Sequence, residues 1–303
     1  MAKGKNPNRI ADPTSDKVFY FINYILLTIA LIVVAYPCYF VIVASVSDYT
    51  IVNSGKLLLY PEGFNTVGYQ KVIEDADIWI AYANTILYTV TNTLLGLAVC
   101  ILAGYGLSRR DLPFRNQIMG VFVFTMYFSG GLIPFYLLVT NLGLGNTRLL
   151  LIILGCTSVY NIIIARSFFA SSIPQELQEA AEIDGCGNAK FFVSIVIPLS
   201  KPIIAVIGLY IAVAKWNEYF NALIFISTKT KQPLQLILRE KLTAVSTVST
   251  DTSVDAEALA VMTEMVELLK YAFIVVATVP ILIVYPFIQK YFAKGVMIGS
   301  LKG

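Results

Sequence analysis

The chain has 303 residues, of which 57% are apolar and 14% charged, and its formal net charge is +3. Soluble domains carry about 25% charged residues, so a chain this poor in charge, with a mean hydropathy of +0.73, cannot cover a water-facing surface. Histidine is absent, which excludes HExxH zinc hydrolysis, imidazole acid–base chemistry and a phosphohistidine relay.

A helix needs about 20 mostly apolar residues to cross a bilayer, and six stretches qualify. The expected fold is therefore an all-α membrane protein in one domain, residues 1–303. The spans are expected at about 18–46, 79–108, 117–140, 149–169, 202–227 and 270–291. Lys3, Lys5, Arg9 and Lys17 precede the first run, but that run is too long for the h-region of a secretory signal, so it reads as a retained anchor. Residues 47–79 form a connection with a turn signal at Pro61-Glu62-Gly63. In the third span, Gly130, Gly131 and Pro134 predict close helix packing and a kink, and Tyr127 beside them is a candidate for lining a path. Residues 242–254, rich in Ser, Thr and Val, are expected to be a flexible connection, and 255–270 reads as an amphipathic helix leading into the last span. Cys38, Cys100, Cys156 and Cys186 form no CxxC pair and read as small buried hydrophobes, with no metal site or disulfide framework.

With both termini on one side, that side holds 13 Lys and Arg and the other holds 7. The richer side is cytoplasmic by the positive-inside rule. No compact basic patch points to nucleic acid.

Two segments stand out. Residues 172–198 are too polar to span. Ser172 and Gln175 fit a capping box and Pro174 suits a first helical turn, while Gly185 is a natural left-handed terminator. A short helix, a second one through Phe191, Phe192 and Ile195, and a break at Pro198 and Pro202 are expected. In the fifth span, a continuous helix at about 100° per residue places Lys215, Asn217, Glu218 and Asn221 toward one side and Trp216 and Phe220 on the other. Charges at that depth need a partner or water. This polar face is either a hydrophilic lining that hydrogen-bonds sugar hydroxyls, with Trp216 available for stacking, or a structural Lys215–Glu218 ion pair.

Glu179-Ala180-Ala181, Gly185, Ile195 and Ile197-Pro198 at these spacings resemble the EAA signature of ATP-binding-cassette importer permeases, with Ile197 where the usual wording has Leu. Tyr105 to Arg109 resembles that family's Tyr-x-Leu-Ser-Arg. The segment from Phe128 to Pro134, Trp216-Asn217-Glu218-Tyr219 and the closing Lys302-Gly303 are similar to its carbohydrate-uptake branch. The likeness is to maltose-type inner subunits and to complex-sugar permeases of Gram-positive bacteria.

That resemblance implies the six-helix type I importer permease fold with a cytoplasmic coupling-helix hairpin, multi-pass in the bacterial cell membrane among its lipids. It implies a heterodimer with a second, different permease, two cytoplasmic ATPase subunits, an extracellular solute-binding lipoprotein and an oligosaccharide cargo. ATP and Mg are then bound by the partner ATPases and no cofactor by this chain; no G-x-x-x-x-G-K-[ST] loop is present. Glu179, Ala180, Ala181, Asp184 and Gly185 become the ATPase-coupling residues. The alanines permit close approach, the acids make charge-assisted contacts, and the glycine permits reversal. The competing readings are a hairpin lying on lipid headgroups and, for the whole chain, an ion-coupled secondary transporter acting without an ATPase. For the latter, Glu218 is the one acid deep in a span. No nucleophile–base set suggests an enzyme.

Overall fold

The computed structural model describes residues 14–55, 59–248, 269–283 and 286, and the regular structure among them is helical. Among the described residues, two helices are each long and apolar enough to cross a bilayer alone, α1 (Thr14–Ala44) and α4 (Ala76–Ser108). α1 buries only Val43 and Ala44 at its end. The connection between them carries two short helices that length and polarity hid, α2 (Tyr49–Asn53) and α3 (Val67–Glu74). Gly63 turns there at φ +63, where an added Cβ would lie 2.7 Å from Asp48 Cβ.

The next three expected spans are each broken. α5 (Arg115–Tyr127) and α6 (Leu132–Asn141) meet at 107°, far beyond the expected kink. Gly131, at φ +88, supplies the turn. α7 (Arg148–Ile153) and α8 (Val159–Ser172) are separated by a stretch containing Gly155 at φ +78. α9 (Gln175–Ile183) and α10 (Asn188–Phe191) follow, and α10 runs on through a π-helical turn (Phe192–Val196) and α11 (Ile197–Leu199). The segment Asn188–Leu199 then meets α12 (Lys201–Trp216) at 79°, the break expected at Pro198 and Pro202. α12 ends at Trp216, and α13 (Phe220–Phe225) starts four residues later. Residues 202–227 are therefore not one helix.

α14 (Leu234–Val248) replaces the first half of the expected flexible connection; residues 249–254 and the amphipathic helix expected at 255–268 lie outside the described residues. The last span is seen as α15 (Leu269–Ile283), and its continuation to 291 lies outside them apart from residue 286.

α4 is the spine of the bundle. Gly104 lets α8 in so closely that a Cβ would stand 2.5 Å from Ala165 Cβ, and at Gly96 it would stand 2.9 Å from Ile211 Cδ1 of α12. Bilayer lipid supplies no hydrogen bonds, so carbonyls freed by a broken span must find partners within the protein. α4 provides them. Asn92 donates to the carbonyls of Ile152 and Leu154 at 2.7 and 2.9 Å. Asn84 donates to those of Thr230 and Gln232 at 2.9 and 3.1 Å. The Tyr88 hydroxyl donates to Lys231 O, and Thr85 Oγ1 accepts the amide of Leu234 at the start of α14. One apolar core joins the later half of α4 to α8, the α9–α10 hairpin and α12; another joins its first turns to Trp216, α14 and α15. The cysteines are not all core: Cys100 is buried, Cys38 exposed, and Cys156 and Cys186 half-buried.

Candidate functional site

The hairpin after α8 forms without the expected capping box. Ser172 is the last residue of α8, Pro174 opens α9 with no side-chain cap, and Gln175 instead donates to Glu179 at 2.8 Å. Its far end is built as the sequence indicated. Gly185 sits at φ +72, its amide donates to Glu182 O at 3.0 Å, and that of Cys186 donates to Ala181 O at 2.8 Å. Those two bonds are a Schellman motif, satisfying carbonyls that α9 would otherwise leave open. The two alanines divide, because neighbours on a helix point about 100° apart. Ala181 packs into the chain's own core with Leu177 and Phe191. Ala180 faces outward with Glu179, Asp184, Gly185 and Ile183, the last 87% exposed.

Arg109 ties this hairpin to α4, a role its motif alone does not disclose. Its guanidinium takes Asp111 in a two-pronged pair at 2.8 and 2.7 Å and donates to Asn188 Oδ1 at 2.8 Å. The Tyr105 ring lies 4.8 Å from that of Phe192 and 5.7 Å from that of Phe169. Hydrogen bonds from Arg109, with its charge, hold the Asp111 carboxyl below the usual carboxylate range. The same contact pushes Arg109 further up. A cavity of about 790 Å³ opens between this anchor and α9, lined by Arg110, Arg115, Arg166, Glu176 and Glu179 among others.

The second set lies near the other end of α4. Trp216 packs on Tyr82 with ring centroids 5.8 Å apart, and Tyr82 to Tyr105 is about 35 Å at 1.5 Å per residue. Lys215, Glu218 and Asn221 come together: Lys215 pairs with Glu218, whose other oxygen accepts from Asn221. Lys215 also donates to Leu154 O at 3.2 Å. Its side chain is 5% exposed and that of Glu218 is 18% exposed. Glu218 reaches Lys215 at the i,i+3 spacing across the turn that closes α12, where the Glu218 N–H donates to Lys215 O at 3.2 Å.

Asn217 caps α12. Its amide nitrogen donates to Val213 O at 2.8 Å, and the residue stays exposed. Trp216, expected as a surface for stacking, is instead buried, and its indole N–H donates to Ala277 O at 3.0 Å. Indoles in apolar cores need such a partner. Tyr127 ends α5, is 80% exposed, and joins none of the bonds of the Lys215 cluster. Sequence reasoning missed Asn84 and Asn92; two asparagines spaced by about two helical turns inside an apolar span are the signal that could have found them.

Residues 96–298 match the family of binding-protein-dependent transport system inner membrane components. The chain is 38% identical over 288 residues to YtcP of Bacillus subtilis (strain 168), a polygalacturonan/rhamnogalacturonan transport system permease protein, covering 95% of this chain and 99% of that one. To MdxG of the same organism, a maltodextrin transport system permease protein, it is 27% identical over 286 residues, covering 93% and 95%. Among solved structures, a bacterial ABC transporter involved in the import of the acidic polysaccharide alginate superposes with a TM-score of 0.80 at 33% identity, covering 94% of this chain and 100% of the matched chain. A helical spine holding broken spans, a capped hairpin outside the bundle and these matches agree: the chain belongs to the binding-protein-dependent transport system inner membrane component family, and is the membrane permease subunit of an ATP-driven importer whose ATPase and substrate-binding partners are separate chains.

Proposed function

We propose that this permease carries a carbohydrate inward as one half of a heterodimer with a second, different permease. Two ATPase subunits dock below, one of them on the α9–α10 hairpin, and a solute-binding lipoprotein delivers an oligosaccharide from outside. ATP and Mg bind at the ATPases; no cofactor is assigned to this chain. Both termini face the cytoplasm, a reading supported by the 13-to-7 excess of basic residues. Relatives named for polygalacturonan, rhamnogalacturonan and maltodextrin support a sugar cargo.

The observation that carries this reading is the hairpin's construction. Moving a two-state equilibrium from 1:99 to 99:1 takes about 5.5 kcal/mol, and a loose loop transmits no such work. Here the hairpin is closed by a Schellman motif, packed through Ala181 and Phe191 into the core of α4 and α8, and tied by Arg109. Glu179, Ala180 and Asp184 remain outside for a basic partner surface. On the pathway, the exposed Asn217 has an amide oxygen without a partner among the described residues, suited to a sugar hydroxyl; Asn221 and Glu218 border it. Ion-coupled transport without an ATPase finds no support, since Glu218 is already engaged by Lys215 and Asn221.

The test is Glu179→Lys and Gly185→Pro in the assembled importer. Both variants should insert at normal levels yet lose uptake and the ATPase stimulation caused by loaded binding protein. Full stimulation in both would remove the coupling role.

A further inference from the structure

At the break after α12, Tyr219 meets a side chain from a helix that the sequence did not reveal. Arg239 of α14 lies over the ring of Tyr219, its guanidinium carbon 4.6 Å from the ring centroid. A guanidinium held by a ring face keeps N–H donors free for a second partner. Those donors form a fork that matches a carboxylate with two parallel hydrogen bonds. Arg239 is exposed, and among the described residues no carboxylate lies within 4.0 Å of it.

Among the described residues, the acids near Arg239 are already engaged or matched. Lys229 and Lys241 are matched by Asp77 and Asp75. Lys231 and Arg148 are held by the carbonyls of Asn146 and Thr230 and have no carboxylate partner among the described residues. Glu218 is neutralised by Lys215, and Glu240, beside Arg239 in sequence, accepts from Gln232 at 3.3 Å. A guanidinium at this end of the bundle needs water or a counter-charge rather than hydrocarbon around it.

We propose that Arg239, pre-oriented by Tyr219, reads the carboxylate of an acidic oligosaccharide at this end of the pathway, with Asn217 placed to take a neighbouring hydroxyl. The importer then selects uronate-containing sugars over neutral ones. This rests on the carbohydrate-import reading and adds the charge of the cargo.

The experiment is uptake by the complete importer, with its binding protein, of trigalacturonate and of its fully methyl-esterified form. The ester keeps the ring hydroxyls and removes the charge. Wild type should favour trigalacturonate. Arg239→Gln should reduce its uptake about tenfold or more, the worth of a lost charge-assisted hydrogen-bond pair, and leave uptake of the ester within twofold. Arg239→Lys, which keeps the charge without the fork, should fall between. Equal losses for both compounds, which a folding defect or a binding-protein docking role would give, overturn the proposal. So does an unchanged preference in both variants. Good uptake of the ester with none of trigalacturonate by wild type, or uptake of neither, rejects the acidic cargo and leaves carbohydrate import standing.

Discussion

Asn92 and Lys215 meet at one backbone atom, the carbonyl oxygen of Leu154, which accepts from Asn92 Nδ2 at 2.9 Å and from Lys215 Nζ at 3.2 Å. The break between α7 and α8 is thus held from two helices at once, by an amide on α4 and an ammonium on α12. Polar groups that look like pathway residues in sequence are, in this place, fastening backbone.

Asn92→Leu should therefore weaken the assembled complex without touching the hairpin. Ile152 O would lose its partner and Leu154 O would keep only Lys215. A buried acceptor left unpaired costs about 1–3 kcal/mol. A lower unfolding midpoint for the detergent-solubilised complex is expected, and an unchanged midpoint would show that the break stands without this amide.

The Lys215–Glu218 pair makes a second, sharper case. Lys215→Met or Glu218→Gln alone leaves a buried charge unmatched, which costs about 3–5 kcal/mol; Lys215→Met falls at the lower end, because the Glu218 carboxylate it strands is 18% exposed. Each single change should reduce folded complex, and the double change should restore most of it. Variants that assemble normally but do not transport would instead assign the pair to the pathway.

Arg109→Lys removes the fork that holds Asp111 and Asn188 together while preserving charge. Assembly should survive, and stimulated ATPase activity should fall about tenfold, the worth of charge-assisted hydrogen bonds at the hairpin root. The Asp111 carboxyl is depressed by Arg109, so its contribution is present above the ordinary carboxylate value of about 3.9 and is lost only as pH falls through its lower, folded value. Any loss of uptake between pH 5 and pH 8 in the native importer must then come from elsewhere.

Orientation is tested with thiols. In a cysteine-free chain, a cysteine at the exposed Glu62 should react in intact cells with a membrane-impermeant maleimide, and one at Gln175 should react only after permeabilisation. Labelling of Gln175 from outside would invert the topology.

Much of this site was legible in the sequence because its cues are local. Gly185 announces a left-handed turn, and the Lys215–Glu218 spacing announces a pair. The breaks were not legible. A charge-free run looks continuous whether or not it bends, and what stabilises the bend at Ile152 to Leu154 is an amide 60 residues upstream. α14 escaped for the opposite reason: Arg239, Glu240 and Lys241 interrupt its apolar pattern, although Leu234, Leu236 and Ile237 are buried. Trp216 was misjudged because its partner, the Ala277 carbonyl, belongs to a helix 61 residues further on.

The fastening of broken spans to α4 also sets a timetable for synthesis. Asn92 leaves the ribosome 60 residues before Ile152, and Asn84 leaves it 148 residues before Gln232. At roughly 5–20 residues per second, the first amide waits about 3–12 seconds for its carbonyl and the second about 7–30 seconds. Throughout that interval α4 carries unpaired amides in a medium without water. The young helix must therefore shelter against the insertion machinery or another helix until its downstream neighbours arrive, and a ribosome that stalls before residue 152 strands it there.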